Sequence, residues 1–155
     1  MDLYLMQHGV ALSEDQDPAR PLSDEGRADV QQVVERAHAA GIRIDVCVHS
    51  GKLRAEQTAR VLADGLDIGT VGARKGLNPS DDVEPIARWL ADAAPAESVV
   101  VVGHLPFLDR LASFLVTGQE SGQAVRFRNA GLVRLVPKQD APGYRVAWVL
   151  VPELA

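Results

Sequence analysis

Ser98-Val99-Val100-Val101-Val102-Gly103-His104 is the stretch that decides the fold. Four consecutive valines leave no polar side for a strand to show to solvent, so this strand is buried on both faces. Such a strand belongs to a parallel sheet with helices above and below it. Gly103 and His104 then emerge at its carboxyl end.

Working outward, Leu3-Tyr4-Leu5-Met6 reads as a first strand stopped at Gly9. Val46-Cys47-Val48 reads as a second strand, too short and uninterrupted for an exposed helix. Between them the polar stretch Ser13 to Pro21 is a loop. Ser23 then caps a helix whose first turn holds Asp24 and Glu25, where the helix dipole favours anions. Ala28, Val33, Val34 and Ala37 fall near helical spacing, and Gly41 stops that helix. Leu53 to Leu62 predicts a second helix that ends in the Gly65 region, and Thr70 to Ala73 a short strand. Asp82 reads as the cap of a third helix, with Pro85 tolerated in its first turn and Ile86, Trp89, Leu90 and Ala93 on its apolar side. Pro106 opens a fourth helix through Leu108, Leu111, Phe114 and Leu115. Leu132 to Val136 and Tyr144 to Leu150 close the chain as a hairpin around Lys138–Gly143.

This alternation predicts an α/β fold in three α/β/α layers, with a mostly parallel central sheet and an antiparallel C-terminal strand pair. No repeat, low-complexity tract or linker interrupts residues 1–155, so one domain is expected.

Composition narrows the function classes. Hydrophobic residues at 46% and charged residues at 24% are globular proportions and argue against disorder. The longest apolar run, Val146 to Val151, falls far below the ~18 residues of a membrane helix, so no membrane partner is expected. The start, Met1-Asp2, lacks the basic flank of a signal peptide, which predicts a cytoplasmic location. Sixteen basic against twenty-one acidic residues, with few aromatics, disfavours a nucleic-acid binder. The single Cys47 closes no intrachain disulfide, and no Cys/His cluster has zinc spacing. Cys47 and His49 share a strand face but have no third ligand near in sequence, so no metal and no cofactor are expected.

In open parallel sheets, ligands bind outside the carboxyl ends of the strands. The first strand delivers Gln7, His8 and Gly9 there, the second His49 and Ser50 with Lys52 and Arg54 following, and the valine strand Gly103 and His104. Two histidines and an arginine thus converge on one rim, beside a helix start whose free N–H groups add positive potential. Phosphate is the natural ligand of such a rim. Gly51-Lys52 hints at a P-loop, but Val46 holds the first glycine position and Leu53 replaces the Ser/Thr.

At this point the motifs resemble a family. Leu5-Met6-Gln7-His8-Gly9 is similar to the Arg-His-Gly signature of the histidine phosphatase superfamily, with its phosphoglycerate-mutase-like fold. Ser50-Gly51-Lys52-Leu53-Arg54-Ala55-Glu56-Gln57-Thr58 resembles its second motif and Gly103-His104-Leu105-Pro106 its third. The short chain, Arg20-Pro21-Leu22-Ser23 and Leu53-Arg54-Ala55-Glu56-Gln57-Thr58 together resemble SixA-type phosphohistidine phosphatases, from Met1 to about Leu115.

The resemblance implies that His8 attacks phosphorus, that Arg54 binds the equatorial oxygens, and that His104 donates to them from the other side. A neutral imidazole is a competent nucleophile near neutral pH, with its other nitrogen fixed by a carbonyl in the Gly9 turn. Gly9 allows that turn and the close approach of substrate, and Arg20 resembles an additional phosphate-pocket arginine. Plainer accounts exist for each: a strand-end histidine for His8, a solvated first-turn arginine for Arg54, a satisfied core histidine for His104. Ser50 and Lys52 read as the start of the helix rather than pocket lining, His49 as structural, and His38 as solvated. Arg126 and Arg128 read as solubility rather than a partner surface.

Gln7 departs from the pattern, standing where the family has arginine. A charge-assisted hydrogen bond contributes roughly 1.5–3 kcal/mol and a neutral one about 0.5–1.5, a difference of roughly ten-fold in binding or rate. Weakened activity is expected rather than none. For the general acid Asp82 is the candidate, beside Asp81 and Glu84, although a helix cap is its first reading. A phosphohistidine whose far nitrogen is protonated leaves as neutral imidazole and needs little acid catalysis.

Ala59 to Glu97 must supply a turn, a short strand and a helix, which leaves little for a lid and predicts an open pocket. The expected function is therefore metal-independent removal of phosphoryl groups from a phosphohistidine-bearing protein, such as a histidine phosphotransfer domain. The alternatives are a phosphomonoesterase acting on a small metabolite, or a weakly active phospho-binding module, the latter because of Gln7. The oligomeric state is not legible.

Overall fold

The valines of β4 (Val99–Gly103) occupy the middle of the sheet, with every residue of the strand buried. The computed structural model describes residues 1–92 and 98–155. Strand β4 pairs in parallel with β1 (Leu3–Gln7) on one side and β2 (Val46–His49) on the other. With β3 (Thr70–Ala73), β5 (Leu132–Pro137) and β6 (Tyr144–Leu150) they form a six-stranded sheet ordered β3-β2-β4-β1-β5-β6. The first four are parallel, β5 is antiparallel to β1, and β5 and β6 form an antiparallel hairpin.

Strand alternation divides the core. Val100 and Val102 face one layer with Tyr4, Met6 and Cys47, covered by α1 (Asp24–Ala39) and α2 (Leu53–Leu66). Val99 and Val101 face the other with Leu3, Leu5 and Val48, covered by α3 (Glu84–Asp92) and α4 (Phe107–Thr117). Each fully buried valine or leucine contributes about 1.5–3 kcal/mol, which is why both layers are needed to hold the parallel strands.

The helix boundaries follow local chemistry. Ser23 Oγ accepts the Gly26 N–H at 2.9 Å and starts α1. Beyond its end Gly41, at φ +75°, donates to the His38 carbonyl while Ile42 donates to that of Ala37, a paired stop that favours glycine. Ala28, expected on the buried side of α1, is exposed, and Val30 fills that role. The second helix ends in the Gly65 region as expected, at Leu66, and is capped by Asp67 at φ +56°. Gly65 is small for another reason, since a Cβ there would lie 2.0 Å from Val34 Cγ1 of α1.

Ser98 lies just outside β4, donating through N and Oγ to Asp45 Oδ2 at 2.8 and 2.9 Å. Asp82 Oδ1 accepts the Glu84 N–H at 3.3 Å as α3 begins. Ile86 and Leu90 of α3 are buried, and Trp89 is half-buried beneath the Arg74 guanidinium at 3.9 Å. Ala93, expected on the same side, lies outside the described residues. Among the described residues no helix is long and apolar enough to cross a membrane.

Candidate active site

Because β1, β2 and β4 are parallel neighbours, their carboxyl ends bring Gln7-His8-Gly9, His49-Ser50 and His104 to one edge. The chain keeps the sheet's pattern one residue past β1, where the His8 N–H donates to the Gly103 carbonyl at 3.1 Å. Ala130, just before β5, donates its N–H to the Gln7 carbonyl at 2.9 Å, and Asn129 Nδ2 donates to the His8 carbonyl at 3.0 Å. The backbone carrying His8 is therefore clamped from both sides.

The His8 ring is fixed as well. Its Nδ1–H donates to the Gly9 carbonyl at 2.7 Å, which leaves Nε2 as the nitrogen with the free lone pair. Gly9 in turn donates its N–H to Thr58 Oγ1 at 3.1 Å, and that hydroxyl donates to the Arg54 carbonyl one helical turn back at 2.8 Å. One buried threonine ties the turn after His8 to the first turn of α2. Gly9 is needed for packing too, since a Cβ would lie 2.8 Å from the Gly26 carbonyl oxygen and 2.9 Å from Val30 Cγ2.

His104 is 2% exposed and its ring centroid stands 5.0 Å from that of His8. Its Nε2 lies 2.6 Å from Ser50 Oγ, and Ser50 also accepts the Lys52 N–H at 3.3 Å. Ser50, read from sequence as a helix start, is thus in contact with His104, while α2 begins at Leu53 without a side-chain cap. Among the described residues His104 Nδ1, Arg54 Nε and Gln7 Oε1 are buried polar atoms without a hydrogen-bond partner. Buried polar atoms are normally paired, so three orphans on one rim mark a place built for a polar guest.

Arg20 is carried by a strap, residues 10–23, that leaves β1 and returns to α1. The Ala11–Leu22 bridge and the Leu12 N–H donating to the Pro21 carbonyl at 2.9 Å close its neck. Gln57 Oε1 of α2 accepts the Leu22 N–H at 2.7 Å and ties the strap to the second motif. Arg20 itself sits at φ +50° and donates Nε to the Leu12 carbonyl at 3.1 Å.

The electrostatics are uniformly cationic around the rings. Burial lowers the pKa of His8; the Gly9 hydrogen bond opposes this, and the charges of Arg54 and Arg20 add to it. Burial also lowers His104, helped by His8, Arg54, Lys52 and Arg20, to about 3. Burial and then Arg20 lower Arg54 as well, with Glu14 of the strap acting in the opposite direction. Both imidazoles are therefore neutral near pH 7, in a field that attracts an anion.

Among the other candidates, Asp82 is exposed at the start of α3, and the charged groups acting on the two rings do not include it. His49 is buried and its Nδ1 accepts the Gly51 N–H at 3.1 Å; His38 is exposed at the end of α1. Among the described residues no three His, Cys, Asp or Glu side chains are grouped to hold a metal, and burial pushes the Cys47 thiol up to about 12. Sequence reasoning singled out neither Thr58, Asn129 nor Glu14. Thr58 had a signal, standing one turn after Arg54 on the same helix face; Asn129 reaches His8 only through the long-range pairing of β5.

Comparison with known proteins agrees with this geometry. The model of the histidine phosphatase superfamily (branch 1) matches residues 3–81. An uncharacterized protein of Picosynechococcus sp. is 32% identical over 87% of this chain and 84% of its own length. Phosphohistidine phosphatase SixA of Escherichia coli is 28% identical over 77% of this chain and 76% of its own. The solved structure of the protein histidine phosphatase SixA complexed with tungstate superposes with a TM-score of 0.83 at 24% identity, covering 98% of this chain and 97% of that one.

Proposed function

Because this chain belongs to the histidine phosphatase superfamily, we propose that it moves a phosphoryl group from a histidine of a partner protein to His8 and then to water. The observation that carries this reading is the set of unpartnered atoms, Arg54 Nε and His104 Nδ1, together with the free Nε2 of a His8 ring 5.0 Å from that of His104. The likeness to Escherichia coli SixA supports phosphohistidine as the substrate class.

In the first step the lone pair of His8 Nε2 attacks phosphorus while the bond from phosphorus to the partner's imidazole breaks. That imidazole keeps the bonding pair and leaves neutral when its far nitrogen already carries a proton. In the second step water attacks the phosphoryl group on His8, gives its proton to the phosphate released, and restores the neutral ring. Charge on the equatorial oxygens is held by Arg54 and Arg20, with the Gln7 amide as a neutral donor. A bound dianion raises the pKa of His104, which then serves as a donor from the opposite side. Fixed guanidinium groups supply the charge neutralisation that a metal supplies in other phosphoryl-transfer sites, so the reaction is proposed to need no metal. Asp82, exposed at the start of α3, is given no role in proton transfer.

Incubation with a phosphohistidine-bearing peptide tests this directly. Phosphate release that persists in EDTA and disappears in His8→Ala is expected; release equal to that variant's rejects the reading. Gln7 favours one second reading, a module that binds phosphorylated protein with little turnover. Acid-labile, alkali-stable labelling at His8 separates the two, since a binding module forms no phosphoenzyme.

A further inference from the structure

The residues just past the two histidines are unusually apolar for a solvent-facing rim. Val10, two residues after His8, is 38% exposed, and Leu105, next after His104, is 40% exposed. From Leu105 a shallow groove of about 420 Å³ continues along Pro106 and Asp109 of the α4 start, with Val125, Arg126 and Phe127 as its other wall. That second wall runs straight into Asn129, which holds the His8 carbonyl. The groove therefore starts at the residue next to His104 and is lined on its far side by residues two to four before Asn129.

Its charges are specific. Arg128 is paired with Glu153 at 2.9 Å and Arg110 with Glu120 at 3.2 Å, whereas Arg126 makes no ion pair among the described residues. A free arginine at the margin of an apolar patch is the pattern of a protein interface, where arginine and apolar anchors dominate the binding energy. A small phosphate ester ends at the phosphoryl pocket and gains nothing from such a surface. A larger cavity, about 560 Å³, opens between α3, α4 and the β5–β6 hairpin, but it includes none of the rim residues.

We propose that the groove between Leu105-Pro106 and Val125-Arg126-Phe127 docks the protein that carries the phosphohistidine, taking an apolar side chain beside Leu105 and an acidic side chain against Arg126. The inference rests on the reading of a protein-borne substrate and adds how that protein is recognised. Asp109 on the facing wall sets the polarity, because a partner carboxylate is repelled there and attracted at Arg126. The chain's net charge of −5 disfavours acidic partners in general, so attraction is local: Arg126 in the groove, and Arg54, Arg20 and Lys52 around the rings.

The test compares two substrates: a histidine phosphotransfer domain phosphorylated chemically, and free phosphohistidine. In Arg126→Glu and Leu105→Ser, both at exposed positions, the ratio of kcat/KM for the domain to kcat/KM for the free amino acid should fall roughly ten-fold or more. A ratio equal to wild type in both variants overturns the docking site while leaving the phosphatase reading intact. A wild type that hydrolyses free phosphohistidine but not the domain overturns both. A concentration-dependent dimer that Arg126→Glu dissociates, with the ratio unchanged, assigns the groove to a second copy of this chain and also overturns the proposal.

Discussion

The imidazoles of His8 and His104 stand 5.0 Å apart with their planes tilted by 54°, each delivered by one of two adjacent parallel strands. Among the described residues no acidic group acts on either ring, and the charges that do act belong to Arg54, Arg20, Lys52 and His8 itself. A pair of neutral bases in a cationic field has consequences for pH dependence in both activity and stability.

For activity, burial together with Arg54 and Arg20 holds the His8 pKa below its ordinary 6.5. His8, the proposed nucleophile, therefore stays unprotonated into mildly acidic solution, and the acid limb of kcat/KM should turn down below pH 6.5. Substrate stable to hydrolysis across the range is needed, with kcat/KM followed from pH 8 down to about 5. An inflection above 6.5 would show that the cationic field does not reach Nε2.

For stability, His104 falls from an ordinary 6.5 to about 3 in the folded chain. Between those two values the unfolded chain binds more protons, so folding stability is fully present above pH 6.5 and declines as pH falls toward 3. One such group gives a slope of at most about 1.4 kcal/mol per pH unit. Urea unfolding at pH 7, 6 and 5 should show a shallower decline for His104→Gln than for wild type. Parallel curves would mean that His104 is not held neutral by the fold.

The sequence made the sheet edge legible because buried parallel strands have a strong signature and because strand ends point to the site. Leu3 to Gly9 and Val99 to His104 carry that information locally. Gly65 marks the region where the second helix ends, but glycine also lets two helices touch, and only the distance to Val34 reveals that second use. Ser50 is legible in sequence only as a helix start, because its bond to His104 crosses from the end of β2 to the end of β4, a contact no local pattern encodes. The same holds for Asn129, whose partner lies at the far end of the chain. The strap's path over the site depends on Gln57 binding the Leu22 backbone, again a long-range bond that spacing does not reveal.

In the proposed reaction Gln7 is a neutral donor where a charge would strengthen oxyanion binding. Gln7→Arg should bind tungstate roughly ten-fold more tightly, the difference between neutral and charge-assisted hydrogen bonds. The measurement is the rise of Tm with tungstate concentration, which follows from preferential binding to the folded state. Equal affinity in the two proteins would place the Gln7 side chain outside the oxyanion's reach.

Thr58 is buried and bonds both the Gly9 N–H and the Arg54 carbonyl. Thr58→Val keeps the shape but leaves the Gly9 N–H unpaired, a loss of about 1–3 kcal/mol. For a domain of this size that lowers Tm by roughly 2–4 °C per kcal/mol. Because the turn after His8 is released as well, kcat should fall, while Thr58→Ser restores both quantities. A Val variant with wild-type Tm and kcat would show that the bond holds nothing in place.

Gly26 lies in the first turn of α1, where alanine ordinarily stabilises a helix by roughly 0.5–1 kcal/mol over glycine. Here a Cβ would stand 2.0 Å from the Val10 carbonyl oxygen, a backbone atom that also accepts from Ser23 N and Oγ at 3.0 and 3.1 Å. Gly26→Ala must therefore push the strap away from α1, and a loss of about 1–3 kcal/mol is expected in place of a gain. Displacing the strap moves Arg20, so KM for a phosphohistidine peptide should rise more than kcat falls. Gly72→Ala, in β3 with nothing within 4 Å of the added carbon, is the control and should leave KM unchanged. If the Gly26 variant is as stable as wild type and binds substrate equally well, the strap is not seated on α1 as described, and the contribution of Arg20 to the pocket loses its structural basis.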